Sequence, residues 1–196
     1  MISGIILAAG TSKRMGSPKQ DVLLAGRPIL EYVVDAFLSS NLAEVVVVVR
    51  SGLTWRRSEG KLRVIVNPRY LEGLSESVKL GLGTIDARSQ AALIGLGDKP
   101  LVLPSTVNRI VSAYEESGSK IVIPVHAGTR GNPILFDRKM FPEILRLHGD
   151  EGAKRVVELY EEDVLEVKVE DEGILVDVDT PADLKTAERT LASRAG

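Results

Sequence analysis

Apolar and polar positions along this 196-residue chain change rhythm several times, and each rhythm predicts an element. The opening run, Ile2 to Ala8, is apolar apart from Ser3 and ends where Gly10 begins a loop, the pattern of a strand buried on both faces. From Pro28 to Ser40, apolar side chains at Ile29, Leu30, Val33, Val34, Phe37 and Leu38 recur at helical spacing, with Pro28 suited to the first turn. "EVVVVVR", Glu44 to Arg50, predicts a central parallel strand, and Leu62 to Val66 a shorter one. Ser75 reads as the cap of a helix running to about Ala87, with Val78, Leu82 and Ile85 turned inward. "AALIGLG" is the next strand, with Gly97-Asp98 at its carboxyl end. A helix from about Pro104 to Glu116 and a strand from Lys120 to Pro124 continue the alternation.

Strands that alternate with helices imply a parallel sheet with right-handed crossovers. After Pro124 the rhythm loosens. Asn132 to Phe136, Val164 to Val169 and Ile174 to Val176 read as strands of an antiparallel extension or edge, with helices near Lys139–Leu147 and Gly152–Tyr160 between them. Thr180-Pro181-Ala182-Asp183 offers a capping threonine, a first-turn proline and an acid three residues on, so a last helix runs to about Ala192. The expectation is one α/β domain over residues 1–196, Rossmann-like, with a mostly parallel central sheet, helices on both faces and a less regular antiparallel C-terminal part.

Composition narrows the classes. Hydrophobic residues make up 44% but aromatics only 4%, so the core must be aliphatic. A net charge of −2 argues against a broad nucleic-acid surface, so any anion site is local. With no cysteine and two histidines, disulfides, thiolate zinc sites and cysteine nucleophiles are excluded, and neither histidine reads as a metal ligand. The start "MISGIILAAG" lacks the basic region and length of a signal peptide, and runs such as "VVVVV" are too short for a bilayer. These features lead to the expectation of a soluble, cytoplasmic protein with neither nucleic acid nor membrane as partner.

The loop "LAAGTSKRMGSPKQ", Leu7 to Gln20, comes after the first strand, at the end of the sheet where ligands bind in such folds. Glycines let backbone N–H groups approach phosphate oxygens, and Lys13, Arg14 and Lys19 add full charges. Gly16-Ser17-Pro18 stands where a Walker loop needs Gly-Lys-Ser/Thr, and "GTSKRMG" does not place the third glycine of a dinucleotide fingerprint. The pattern alone leaves a solvated strand-to-helix turn open beside an anion site.

The longer stretch "LAAGTSKRMGSPKQDVLLAGRPIL" resembles nucleotidyltransferases that activate a small phosphorylated molecule with a nucleoside triphosphate. Within them it is similar to the molybdenum cofactor cytidylyltransferases of the MobA-like superfamily. "NPRYLEGLSESVKLGL", "GLGDKPLV", "RGNPILF", "LHGDEGAKRVVE" and "VDVDTPADL" are similar to family blocks in the family's order, so the resemblance spans nearly the whole chain. It implies a nucleotide-binding part over about 1–100 and an acceptor-binding part over about 101–196. Leu7, Ala8, Ala9 and Gly10 match the segment whose backbone meets base and ribose. Arg14 and Lys19 match the positions that hold the triphosphate, whereas Lys13 falls at a variable one. Gly73, Ser75 and Ser77 match the block that closes on the nucleoside. Asp98 matches the aspartate that coordinates magnesium, the implied cofactor. "DVDTP" places Asp177 and Asp179 at alternate positions of an expected strand. Asp179 aligns with an aspartate near the metal and the acceptor, although helix entry beside Thr180 is a competing role. Arg130, Gly131, Asn132 and Pro133 match the block that faces the acceptor. Lys99 stands where many relatives have glutamine, and either a phosphate grip or a solvent-facing side chain fits it.

The resemblance implies a magnesium-dependent enzyme that uses CTP and a molybdopterin-type acceptor and releases pyrophosphate, with Arg14, Lys19 and Asp98 as the catalytic groups. "PKQ" also resembles methylerythritol phosphate cytidylyltransferases, although the later blocks fit the cofactor family better. Guanylyltransferases usually have glycine where Ala9 stands. A different class remains open: a nucleotide-binding accessory that delivers matured cofactor to a molybdenum or tungsten enzyme. Nothing in the glycine spacing supports a dinucleotide-dependent oxidoreductase.

Overall fold

Predominantly apolar runs form strands whose two faces are both covered, and three such runs lie side by side at the centre of the sheet. In the computed structural model, which describes residues 1–10, 22–53, 57 and 59–195, the first is β1 (Ile2–Ala8). A two-strand ribbon comes next, β2 (Leu23–Leu24) and β3 (Arg27–Pro28), and leads into α1 (Ile29–Leu38). Then come β4 (Glu44–Arg50), β5 (Leu62–Asn67), a 3-10 turn at Tyr70–Glu72, α2 (Leu74–Thr84), β6 (Ala91–Leu96) and α3 (Pro104–Ser117).

The remainder comprises β7 (Ile121–His126), β8 (Thr129–Arg130), β9 (Ile134–Asp137), a 3-10 turn at Arg138–Met140, α4 (Phe141–Leu145) and α5 (Lys154–Leu159). After a further 3-10 turn at Glu161–Asp163, β10 (Val164–Lys168), the 3-10 segment Glu172–Leu175 and α6 (Pro181–Ala195) close the chain. No helix among the described residues is long and apolar enough to cross a membrane.

The main sheet runs in the order β10-β7-β9-β6-β1-β4-β5, with β8 paired to β7. β1 lies parallel to β4 in a register that sets Ile5 beside Val46 and Ile6 beside Val47, and parallel to β6 on its other side. Alternation along these strands feeds two cores. Ile6, Val47 and Leu93 face α1 and α3, where Phe37, Val107 and Ile110 cover them. Ile5, Val46 and Ile94 face the opposite layer, under Val78 and Leu82 of α2, Ile144 of α4 and Val156 of α5. A smaller third cluster joins α6 to the β2–β3 ribbon through Val22, Leu24, Val178 and Ala187.

The C-terminal part departs from its expected form in two places. The antiparallel element is β9, inserted inside the sheet between β6 and β7, while β10 runs parallel to β7 at the edge. Ile174 to Val176 is not a strand: Asp171 accepts the Gly173 N–H at 3.0 Å, and this local turn coils Glu172–Leu175 into a 3-10 segment. Its apolar residues are buried because the turn is pressed into the molecule. Period alone could not separate that from a strand.

Candidate active site

The parallel strands β5, β4, β1 and β6 run side by side, and the chain that leaves the carboxyl ends of β1, β5 and β6 supplies most of the site. Leu7 and Ala8 belong to β1, and the Leu7 carbonyl accepts the Gly97 N–H at 2.9 Å, which ties the first loop to the turn after β6. Ala9 and Gly10 lie just beyond, at one wall of a cleft of about 270 Å³. Gly73, Leu74 and Ser77 form another wall, with Tyr70, Leu71 and Asp150 at its rim. Arg14 and Lys19 lie outside the described residues, as do Lys13 and the rest of 11–21.

The Gly73 wall is shaped by backbone. Gly73 adopts φ +120°, and a Cβ there would overlap the Gly149 carbonyl, so only glycine lets these two loops close on each other. The Ser75 N–H donates to the Gly149 carbonyl at 3.0 Å. Ser75 does not cap α2, as the sequence suggested: Gly73 precedes the helix and no side chain caps it. Instead Ser75 is fully buried, and its Oγ has no hydrogen-bond partner among the described residues. Ser77 does reach the cleft, and Asn67 Nδ2 donates to its Oγ at 3.0 Å.

Asn67 and Asp150 are additions that sequence reasoning did not single out. Asn67 ends β5 nearly inaccessible, its Oδ1 accepting the Arg69 N–H at 2.8 Å, so it fixes both the turn and Ser77. A polar residue closing an apolar strand, just before Pro68, was the available signal. Asp150 sits within "LHGDEGAKRVVE", where the glycine at 149 with φ +55° marks a tight turn.

On the other side of β1, Asp98 comes directly after Gly97 at the end of β6 and is half-buried. Its carbonyl accepts the Val178 N–H at 2.9 Å. That bond brings the Asp177–Asp179 segment to the same sheet end, with the two aspartates flanking the contact in irregular backbone rather than in a strand. Lys99 neither points to solvent nor stands ready as a bare cation. It is 4% exposed, and its Nζ lies 2.7 Å from Asp177 Oδ1. Thr180 and Asp183 form the expected reciprocal cap of α6: Asp183 Oδ2 accepts the Thr180 N–H at 2.8 Å and Thr180 Oγ1 accepts the Asp183 N–H at 3.2 Å. The Asp179 N–H also donates to Asp183 at 3.1 Å.

Arg130 and Asn132 lie near the end of β7, away from the Gly73 wall. The Arg130 guanidinium pairs with Glu161 at 2.5 Å and Glu166 at 2.6 Å, and hydrogen bonds to Glu161 first and Glu166 second raise its pKa above the usual arginine value. Asn132 donates its N–H to the Ile174 carbonyl at 3.1 Å, leaving its side chain half-buried. Ala9, Gly10, Gly73 and Ser77, expected on the nucleotide side, therefore meet in one cleft. Asp98 and the Asp177–Asp179 segment are joined at the same sheet end by the Val178–Asp98 backbone bond, and Arg130 is held in a separate ion-pair cluster.

Comparisons with known proteins agree with this architecture. The chain is 31% identical over 203 residues to the purine catabolism protein PucB of Bacillus subtilis (strain 168), covering 96% of this chain and 97% of that one. It is 26% identical to the molybdenum cofactor cytidylyltransferase of Escherichia coli (strain K12), over 95% of each chain. It also matches bifunctional protein GlmU of Sorangium cellulosum (strain So ce56), 35% identical over 128 residues, where 60% of this chain spans 27% of that protein's length. A crystal structure of Rv0371C from Mycobacterium tuberculosis H37Rv in complex with manganese superposes with a TM-score of 0.79 at 25% identity, covering 96% of this chain and 98% of that one. The sequence pattern of the MobA-like NTP transferase domain matches residues 4–165. With that match laid over a parallel sheet whose carboxyl ends carry the cleft and Asp98, the chain belongs to the MobA-like NTP transferase family.

Proposed function

We propose that the chain transfers a cytidylyl group from CTP to the terminal phosphate of a molybdopterin-type cofactor and releases pyrophosphate. The observation that supports this best is the meeting of a nucleoside-sized cleft, walled by Ala9, Gly10, Gly73 and Ser77, with an aspartate at the end of the adjoining strand. Similarity to the E. coli cytidylyltransferase along almost the full length of both chains supports the acceptor.

In this reaction an acceptor phosphate oxygen attacks the α-phosphorus in line. The new P–O bond forms as the bond from the α-phosphorus to its bridging oxygen breaks, and the electron pair leaves with pyrophosphate. No protein nucleophile is required, so the chain contributes position and charge. The backbone from Leu7 to Gly10, with Gly73 and Ser77, holds the nucleoside, and the buried Ser75 supports that wall from behind. Arg14 and Lys19 carry the triphosphate, and Arg130, Asn132 and Asp179 face the acceptor.

Magnesium, when bound, neutralises charge that builds on the α-phosphate oxygens. Asp98 and Asp179 are the carboxylates that would hold it, two hard oxygen donors on segments joined by the Val178–Asp98 backbone bond. Among the described residues no three His, Asp or Glu side chains gather as a metal cage. The two aspartates would share the ion with substrate oxygens, the usual arrangement for this cation. Manganese in Rv0371C supports a divalent ion in this fold.

Incubating the protein with each nucleoside triphosphate, magnesium and purified cofactor, and reading pyrophosphate, tests the proposal. CTP should support release only when acceptor is present. A preference for GTP would overturn the base assignment, and no release with any nucleotide would favour the cofactor-delivery reading instead.

A further inference from the structure

Among the described residues, cytidylyl transfer leaves the buried cation Lys99 without a task. Lys99 is almost fully enclosed, and its ammonium lies 2.7 Å from an Asp177 carboxylate whose side chain is 47% exposed. Burying an ammonium is costly, a single ion pair repays it only in part, and an apolar side chain of similar length often folds as well. Stability is therefore a poor reason for a lysine here.

Its position supplies a better one. Lys99 directly follows Asp98, and the Val178 N–H bond to the Asp98 carbonyl brings Asp177 and Asp179 to the same turn. A third carboxylate is thus carried on the segment bonded to Asp98, and the Lys99 ammonium, one residue on from Asp98, is drawn onto it. An unneutralised third carboxylate would strengthen the pull on any dication at this end of the sheet.

We propose that Lys99 keeps Asp177 out of the metal's ligand set. It cancels the charge of Asp177, so the ion is held by Asp98, Asp179 and substrate oxygens rather than by three protein carboxylates. The inference rests on the metal reading of Asp98. Its functional consequence is that the free protein holds a divalent cation weakly, and the ion arrives with the triphosphate.

The test is a titration of the full chain with Mn²⁺ alone, following free Mn²⁺ by electron paramagnetic resonance. Lys99→Met should bind Mn²⁺ on the order of tenfold more tightly than the native protein, because a carboxylate is released close to a dication. Lys99→Arg, which keeps the cation, should stay near native affinity. The double variant Lys99→Met with Asp177→Asn should return to within about twofold of native, since a neutral pair has been replaced by two neutral side chains. Unchanged or weaker binding by Lys99→Met would overturn the proposal. So would a double variant far weaker than native, because Asp177 would then already be a ligand. Lys99→Gln is a second neutral variant with the same expected tightening, should the methionine not fold. Asp98→Asn, measured in parallel, separates the two levels: native Mn²⁺ affinity there means that the metal reading itself is wrong, and the Lys99 proposal falls with it.

Discussion

The strands up to Leu96 and the segments from Ile121 to Asp179 share one sheet but are built in different ways. β1, β4 and β6 are largely apolar runs that pair side by side, so hydrophobic pattern dominates their placement, with a polar bond from Ser3 Oγ to Glu44 at 2.7 Å added between β1 and β4. The later half adds single polar side chains to its apolar packing. Asp171, 4% exposed, accepts from the Leu103 N–H at 2.8 Å, Thr106 Oγ1 at 2.7 Å, the Gly173 N–H at 3.0 Å and Arg194 at 2.9 Å. One carboxylate thereby caps α3, bends the 3-10 segment and anchors the end of α6. The difference teaches that the proposed nucleotide side rests on a largely apolar scaffold, while the segment carrying Asp177 and Asp179 is held by the buried Val178 and a few specific bonds.

Removing the hub should break this contrast most sharply. Asp171→Ala strands buried donors and leaves Arg194 unpartnered at this contact, a class of change that costs about 3–5 kcal/mol. A denaturant titration should show that loss, whereas a drop of less than about 1 kcal/mol would mean that the C-terminal half is held mainly by apolar packing. Asp98→Asn is the next largest effect and acts on chemistry instead. Its melting temperature should match the native value while turnover falls by about 10²–10³.

Gly73→Ala tests the nucleotide wall. Forcing a Cβ into a φ of +120° against Gly149 should cost about 1–3 kcal/mol in strain and weaken CTP binding, read by calorimetry. Native CTP affinity in that variant would show that the wall does not touch the nucleotide. The smallest effect belongs to Thr180→Ala, which removes one half of the α6 cap and should cost about 1 kcal/mol with turnover unchanged. Combined with Asp179→Asn it sharpens the roles of neighbours: Asp179→Asn should slow turnover at native stability, and a stability loss alone would make it a helix-entry residue.

Legibility in the sequence divides along the same line. β1 and β4 were predictable to the residue because an apolar run bounded by Gly10 or by the polar residues around Arg50 has few other fates. The Thr180–Asp183 cap was legible because it is local, confined to a single turn. Ser75 was misread because its spacing before an apolar helix is that of a cap, yet the wall it joins is made by Gly149, far along the chain. The Lys99–Asp177 pair and the Asp171 hub join residues 78 and up to 68 positions apart (177 − 99 and 171 − 103), and no local period encodes such contacts. Asp150 and Asn67 were hidden for the same reason: their place at the cleft depends on how two loops meet.

The most direct test of the central claim tracks the phosphorus. The protein is mixed with magnesium, the phosphorylated acceptor and CTP labelled at either the α- or the γ-phosphate, and products are separated after rapid quenching. Nucleotidyl transfer at this cleft predicts that α-label appears on the acceptor in step with γ-label in pyrophosphate, and that Asp98→Asn suppresses both together. Label from the γ-phosphate on the acceptor, or α-label that never leaves CTP, would contradict the account.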